Sequence, residues 1–279
     1  MSSRRAAVLL LLPCLVVLLA LFVLPQAFLL VASLWQRSEY GGLVHRWTLA
    51  NYSRTFDPLY LWILARSFGL AGLTTLACLL AGWPVAYWLG LRVRPRFKNA
   101  LLVLVVLPFW TSFLVRMYAW VFLLRQEGLV NRALALVGLP ALPLLYNDFA
   151  VMLGQLYGEL PFMILPLYAS IEKLDPSLLE AAADLGATPF RRLWRVTLPL
   201  AAPGIAAGCL LVFIPSLGAF LAPDLLGGGR SVYVGNLVQS QFAIARDLPF
   251  GSAVSFLLTL IVLAALWLLR RPLRAAMET

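Results

Sequence analysis

Glu159 lies in the middle of a long apolar run, LGQLYGELPFMILPL. An ionised carboxylate there costs several kcal/mol unless it is solvated or paired. Gln155, Glu159 and Phe162 recur at i, i+4 and i+7, one face of a helix, and that face could line a polar path. A carboxylate beside aromatic faces attracts cations. Tyr157, Phe109, Trp110 and Phe220 are at a comparable depth in their own runs, and Asp224 stands just beyond the fifth run. The other reading of Glu159 is structural, as the partner of Arg116 or Arg66 in neighbouring runs, locking them together. The aromatics are equally well read as core or interfacial-belt residues.

Catalytic chemistry has little else to draw on. His45 is the only histidine, so a histidine-based metal site or triad lacks its parts. Cys14, Cys78 and Cys209 all fall in apolar runs without ligand-like spacing, which reads as packing rather than a disulfide framework. A phosphate-binding P-loop needs a lysine after glycine. The two lysines, Lys98 and Lys173, follow Phe97 and Glu172, and the run Gly227-Gly228-Gly229 is followed by Arg230. That run reads as a loop. The chain is expected to carry no cofactor and no nucleotide site of its own.

The elements that hold these residues are helices in a membrane. Of the 279 residues 62% are hydrophobic and only 12% charged, against about 25% charged in soluble domains. The excess is gathered into runs, and roughly 20 apolar residues cross a bilayer. Six crossings are expected, at 6–35, 62–91, 100–124, 148–171, 200–223 and 251–270, forming one all-α domain over residues 1–279. The start MSSRR resembles a signal peptide, but the run after it far exceeds the roughly 7–15 residues of one, and no small-residue cleavage site closes it. Pro13 in LLPC argues against a lipoprotein site, so the first helix is read as uncleaved. Prolines recur within the runs (Pro25, Pro84, Pro108, Pro161, Pro166, Pro203, Pro215) and should bend the helices.

The net charge of +10 is loop topology and not a nucleic-acid surface. Most basic residues sit at the N-terminus (Arg4, Arg5), in the 92–99 loop (Arg92, Arg94, Arg96, Lys98), in the 172–199 loop (Lys173, Arg191, Arg192, Arg195) and at the C-terminus (Arg270, Arg271, Arg274). The positive-inside rule puts that side, and both termini, in the cytoplasm.

The 172–199 loop has its own grammar. Asp175–Pro176 reads as an N-cap with proline at the first helical position, and Gly186 as the left-handed residue that ends the helix. Thr188–Pro189 repeats the cap. A second helix then places Phe190, Leu193, Trp194, Thr197 and Leu198 on one mostly apolar face, with Arg191, Arg192 and Arg195 elsewhere. By spacing alone this is either a socket for another protein or an amphipathic helix lying on lipid.

The pattern Glu180-Ala181-Ala182-x-x-x-Gly186, followed after nine residues by Val196-x-Leu198-Pro199, resembles the EAA loop of bacterial ABC-importer permeases, with valine where that family usually has isoleucine. The resemblance covers roughly residues 50–256. LPFWTSFLVRMYAW (107–120), ELPFMILPLYASIEKLDPSLLEAAADLGA (159–187), GIAAGCLLVFIPSLGAF (204–220) and RDLPFGSAVS (246–255) are similar to B-type subunits of spermidine/putrescine permeases. The resemblance implies a type I importer (MetI-like) bundle in the bacterial inner membrane, importing a polyamine by alternating access. It implies that Glu180, Ala181, Ala182, Gly186, Phe190 and Arg191 couple to a pair of ATP-binding subunits. It also implies a second, homologous permease and a periplasmic substrate-binding protein, and hydrolysis of ATP by the partner alone. A polyammonium substrate would suit the Glu159 path. Rival readings are a permease for iron, sulfate or another small solute, a secondary transporter, a polytopic enzyme, or a membrane scaffold.

Overall fold

The structure, a computed structural model, describes the backbone of residues 3–38, 43–229 and 231–278, and the side chains of those between 11 and 267. Arg230 lies outside the described residues, as do the side chains of Arg4, Arg5, Arg270, Arg271 and Arg274. The chain divides into two compact units, Met1–Trp62 with Leu237–Ala265, and Ile63–Asn236 with Leu266–Thr279.

In the first unit, α1 (Ser3–Ser33) continues through both Pro13 and Pro25. Its span from Leu11 has no buried share in its most apolar window, as expected of a helix whose solvent is hydrocarbon. Cys14 is exposed on it, so the packing role expected of this cysteine is not met within the chain. Beyond α1 the structure adds elements that the apolar pattern did not call for. Strands β1 (Gln36–Arg37) and β2 (Leu43–Val44) pair antiparallel, and a short helix, α2 (Ala50–Thr55), follows. Asn51 ties α2 to the end of α1 by donating to the carbonyls of Ser33 and Trp35, both at 2.8 Å. Asp247, 1% exposed, receives Arg54 at 2.9 Å and lies 3.8 Å from Arg37.

The second unit is built on α3 (Pro58–Leu91), which begins in the first unit, and α7 (Asp148–Ile171). Asn147 caps α7 by accepting from the Ala150 N–H at 2.9 Å. The expected crossing at 100–124 is not one rod. Helix α4 (Pro95–Val106) passes into a 3-10 turn (Leu107–Trp110), and α5 (Phe113–Leu124) departs in a new direction, followed by α6 (Leu129–Leu136). The bend across this break is 87°. Pro108 has no N–H to give to the preceding turn, and Thr111 is extended, so the helix cannot continue.

The fifth run is also shorter than expected. Past the loop helices α8 (Pro176–Asp184), α9 (Pro189–Arg192) and α10 (Leu198–Leu200), helix α11 (Ala202–Gly218) turns by 69° at Ala201. It ends before α12 (Leu221–Leu226). Helices α13 (Val234–Ala243) and α14 (Leu248–Glu278) complete the chain. Four described helices are long and apolar enough to cross a membrane, and six spans result if each bent pair counts as one.

Helix α11 packs along α7, over a core that includes Cys78, Leu89, Met163, Leu167, Ile171 and Val212. The approach is close. A Cβ on Gly204 would meet Ser170 Oγ at 2.5 Å and the Pro166 carbonyl at 2.6 Å, the small-residue packing usual between membrane helices.

Candidate functional site

The loop after α7 folds as its punctuation requires. Asp175 accepts from the Ser177 N–H at 2.9 Å, and that bond holds its carboxyl below the usual carboxylate range. Gly186 has φ +78. Its N–H reaches the Ala183 carbonyl at 2.8 Å and that of Ala187 reaches Ala182 at 3.0 Å, the paired bonds of a Schellman ending. Thr188 then accepts from the Arg191 N–H at 3.3 Å and restarts the helix. Two short helices with a sharp joint are the result.

One expectation for this loop fails. The second helix is not a plain α-helix, because Leu193–Thr197 forms a π segment. The wider turn shifts the register, so the five residues expected on one apolar face separate. Thr197 is fully buried, whereas Phe190 and Trp194 are 69% and 58% exposed and pack on each other at 5.9 Å. Leu185 is 88% exposed, and Glu180, Ala181, Gly186 and Arg191 are exposed with them, Ala182 less so. The loop therefore presents open apolar and charged surface.

The root of the loop is tied down. The Tyr168 hydroxyl donates to Glu172, and Lys98 donates to Glu172 at 3.1 Å and to the Gly90 carbonyl at 3.0 Å. The Tyr168 bond first, and then Lys98, hold the Glu172 carboxyl below its ordinary range. Sequence reasoning counted Lys98 among the loop charges and named Glu172 only as the residue before Lys173, because a pairing across such a separation has no local signature.

The second cluster surrounds Glu159. Arg116, 9% exposed, sits over the rings of Phe113, Phe109 and Tyr157 at 5.4, 5.7 and 5.8 Å. Phe109 meets Phe162 edge-on at 4.9 Å, and Tyr157 meets Trp120 at 5.8 Å. Glu159 Oε2 is buried with no hydrogen-bond partner, and so is Arg116 Nε. No salt bridge joins the two among the described residues. Pairing with Arg66 is overturned, since Arg66 donates to both oxygens of Asp148, at 2.6 and 2.8 Å, and to Ser231 Oγ at 3.2 Å.

Gln155 leaves the expected path face. It is 2% exposed, accepts from Thr74 Oγ1 at 3.0 Å and donates to the Ser216 carbonyl at 3.3 Å, so its amide is spent tying α3, α7 and α11. The structure thus gathers Phe109 and Tyr157 around Arg116, with Phe162 against Phe109 and Glu159 within reach of the arginine's charge. It adds Phe113 at Arg116 and Trp120 against Tyr157, which sequence reasoning passed over. Among the described residues no ring contact or hydrogen bond brings Trp110, Phe220 or Asp224 to this group. Trp110 is 85% exposed and Phe220 43%.

Residues 82–271 match the family of binding-protein-dependent transport system inner membrane components. The chain is 45% identical over 247 residues to the spermidine/putrescine transport system permease protein PotB of Haemophilus influenzae, covering 88% of this chain and 86% of that protein. It is 42% identical to PotB of Escherichia coli over the same length, with 88% and 90% covered. The molybdenum transport system permease protein ModB of Mycobacterium bovis is 32% identical over 203 residues, covering 73% of this chain and 75% of that protein. The fold matches the crystal structure of a bacterial alginate ABC transporter in complex with its alginate pentasaccharide-bound periplasmic protein. There the TM-score is 0.76 at 21% identity, over 97% of this chain and 96% of that one.

Proposed function

The chain belongs to the family of binding-protein-dependent transport system inner membrane components, and from that premise we propose that it is a transmembrane permease subunit of an ATP-driven polyamine importer. The observation that carries the coupling half of this reading is the loop joint. The Schellman ending at Gly186 and the cap at Thr188 hold Glu180, Leu185, Phe190 and Arg191 outward, a rigid surface for a partner that hydrolyses ATP. That partner is a dimer of ATP-binding subunits, and the permease itself holds no nucleotide. The basic loops put this surface and both termini on the cytoplasmic side. A second homologous permease completes the pathway, and a periplasmic binding protein delivers substrate from the other side.

The polyamine assignment is supported by the PotB relatives and by the chemistry at Glu159. A buried carboxylate oxygen without a protein donor, within electrostatic reach of the Arg116 that Phe109 and Tyr157 also face, offers a passing ammonium a charge, and those rings a π surface, in place of water. Arg116, over the same rings, compensates Glu159 between passages without closing on it. Trp110, Phe220 and Asp224 extend the path in this reading.

Movement of the ATP-binding dimer reaches the pathway through the root of the loop. Glu172 is held by Tyr168 of α7 and by Lys98 of α4, so a displacement of α8 bears on both helices, and α7 carries Glu159.

The test is uptake of labelled spermidine and putrescine into proteoliposomes holding the assembled importer, with binding protein outside and ATP inside. ATP-dependent accumulation of a polyamine, with none of iron, sulfate or molybdate, is the expected result. Accumulation of one of those solutes instead overturns the substrate. Accumulation without ATP overturns the class.

A further inference from the structure

Helix α3 carries its apolar character to Leu91, and Arg92, Val93 and Arg94 follow before Pro95 opens α4. Because α3 is long and apolar enough to span the bilayer, its end brings this junction to the headgroup layer. A cavity of about 410 Å³ opens there, walled by Trp88, Val93, Phe97 and Leu101 and edged by Arg92 and Arg94. Trp88 and Phe97 are 51% and 50% exposed, large apolar side chains left open beside unspent positive charge. Among the described residues none of Arg92, Arg94 and Arg96 makes a salt bridge, and Arg96 lies over the Phe97 ring at 4.7 Å.

The neighbouring cavity, of about 440 Å³, makes a useful contrast. Glu172 and Glu180 share its wall with Arg92, Lys98 and Arg192, so its charge is largely answered from within. The cavity at Trp88 has no carboxylate on its wall. An apolar hollow, a cationic edge on which Arg94 faces no carboxylate and Arg92 makes no salt bridge, and a position at headgroup depth together describe the complement of one molecule, an amphiphile with a phosphate between its polar head and its acyl chains.

We propose that the junction of α3 and α4 is a binding site for an anionic phospholipid, with Arg92 and Arg94 on the phosphate and headgroup and with the first acyl methylenes along Trp88, Phe97 and Leu101. Neither the transport path nor the loop joint is part of this site.

The test is native mass spectrometry of the detergent-purified importer titrated with phosphatidylglycerol or phosphatidylcholine. The wild type should retain phosphatidylglycerol under conditions that strip phosphatidylcholine. Each basic residue at a membrane surface contributes roughly fivefold, so Arg92→Gln with Arg94→Gln should weaken phosphatidylglycerol retention by about thirtyfold and leave phosphatidylcholine unchanged. Arg132→Gln, an exposed arginine on α6, should change neither. If the double variant assembles poorly, Arg92→Lys with Arg94→Lys keeps the charge and should bind within a few-fold of wild type. Equal retention of the two lipids by the wild type overturns the proposal, as does an equal loss in Arg132→Gln. Displacement of the lipid by glycerol phosphate at matching concentration also overturns it, since it would assign the site to a free phosphate.

Discussion

Helix α7 carries Glu159 in its middle and ends against Glu172, and the surroundings treat the two glutamates in opposite ways. Glu172, just past the C-terminus of α7 at the root of the loop, is 43% exposed, yet it takes hydrogen bonds from Tyr168 and Lys98. Glu159, in the middle of the helix, has a buried oxygen with no donor at all. Stability alone would favour the reverse, since an unanswered buried carboxylate costs more than an exposed one. The satisfied glutamate belongs to the framework that holds the loop. Under the proposed function, the unsatisfied one waits for a donor that arrives with the substrate.

The comparison breaks most visibly at the loop. Gly186→Val forces a β-branched residue to φ +78, a strain of order 1–2 kcal/mol or more, although no neighbour lies within 4 Å of the added Cβ. Transport should fall at least tenfold while abundance in the membrane stays normal, as read by uptake against immunoblot. Normal transport at normal abundance would show that the joint geometry is dispensable.

The next largest effect belongs to Glu159. Glu159→Gln keeps the shape and removes the charge. The loss of one charge-assisted contact, worth roughly 1.5–3 kcal/mol, corresponds to spermidine uptake about tenfold slower or more. Uptake within twofold of wild type would remove Glu159 from the path.

How much of this could be read from the chain alone depends on whether the signal is local. The caps at Asp175 and Thr188, the stop at Gly186 and the span of α7 were all legible, because each is written within a few residues. The π segment at Leu193–Thr197 was not, since nothing in the local spacing separates a π turn from an α turn, and Thr197 is buried while Phe190 and Trp194 are exposed. The break at Pro108 was legible as a bend but not as the end of a helix. Partner choice was the least legible. Arg66 could have reached Glu159 by depth, and only the fold brings it to Asp148 and Ser231. Gln155 shares a helix face with Glu159, yet Thr74 and Ser216 claim it.

At the root of the loop the expected effects are smaller. Glu172→Gln should lower the unfolding free energy of the complex by no more than about 1 kcal/mol, because the ion pair is open to solvent, and should slow transport less than Glu159→Gln does. Its pH dependence has a definite sign. A carboxyl whose pKa is depressed in the folded state contributes above its unfolded value of about 4.3, and that contribution is lost as pH falls through the folded value. Melting curves of wild type and Glu172→Gln should therefore differ at pH 6 and draw together as pH falls below about 4.3. A gap that widens on acidification contradicts the assignment.

The smallest effect is the most telling, and it is the coupling between Glu159 and Arg116. Thermal unfolding of the purified complex, measured for wild type, Glu159→Gln, Arg116→Met and the double variant, gives that coupling directly. A carboxylate reserved for substrate predicts a coupling energy below about 0.5 kcal/mol and a Glu159→Gln protein that melts near wild type. A single variant destabilised by ~3–5 kcal/mol and largely rescued in the double is the signature of a buried structural pair, and that result would contradict the central claim.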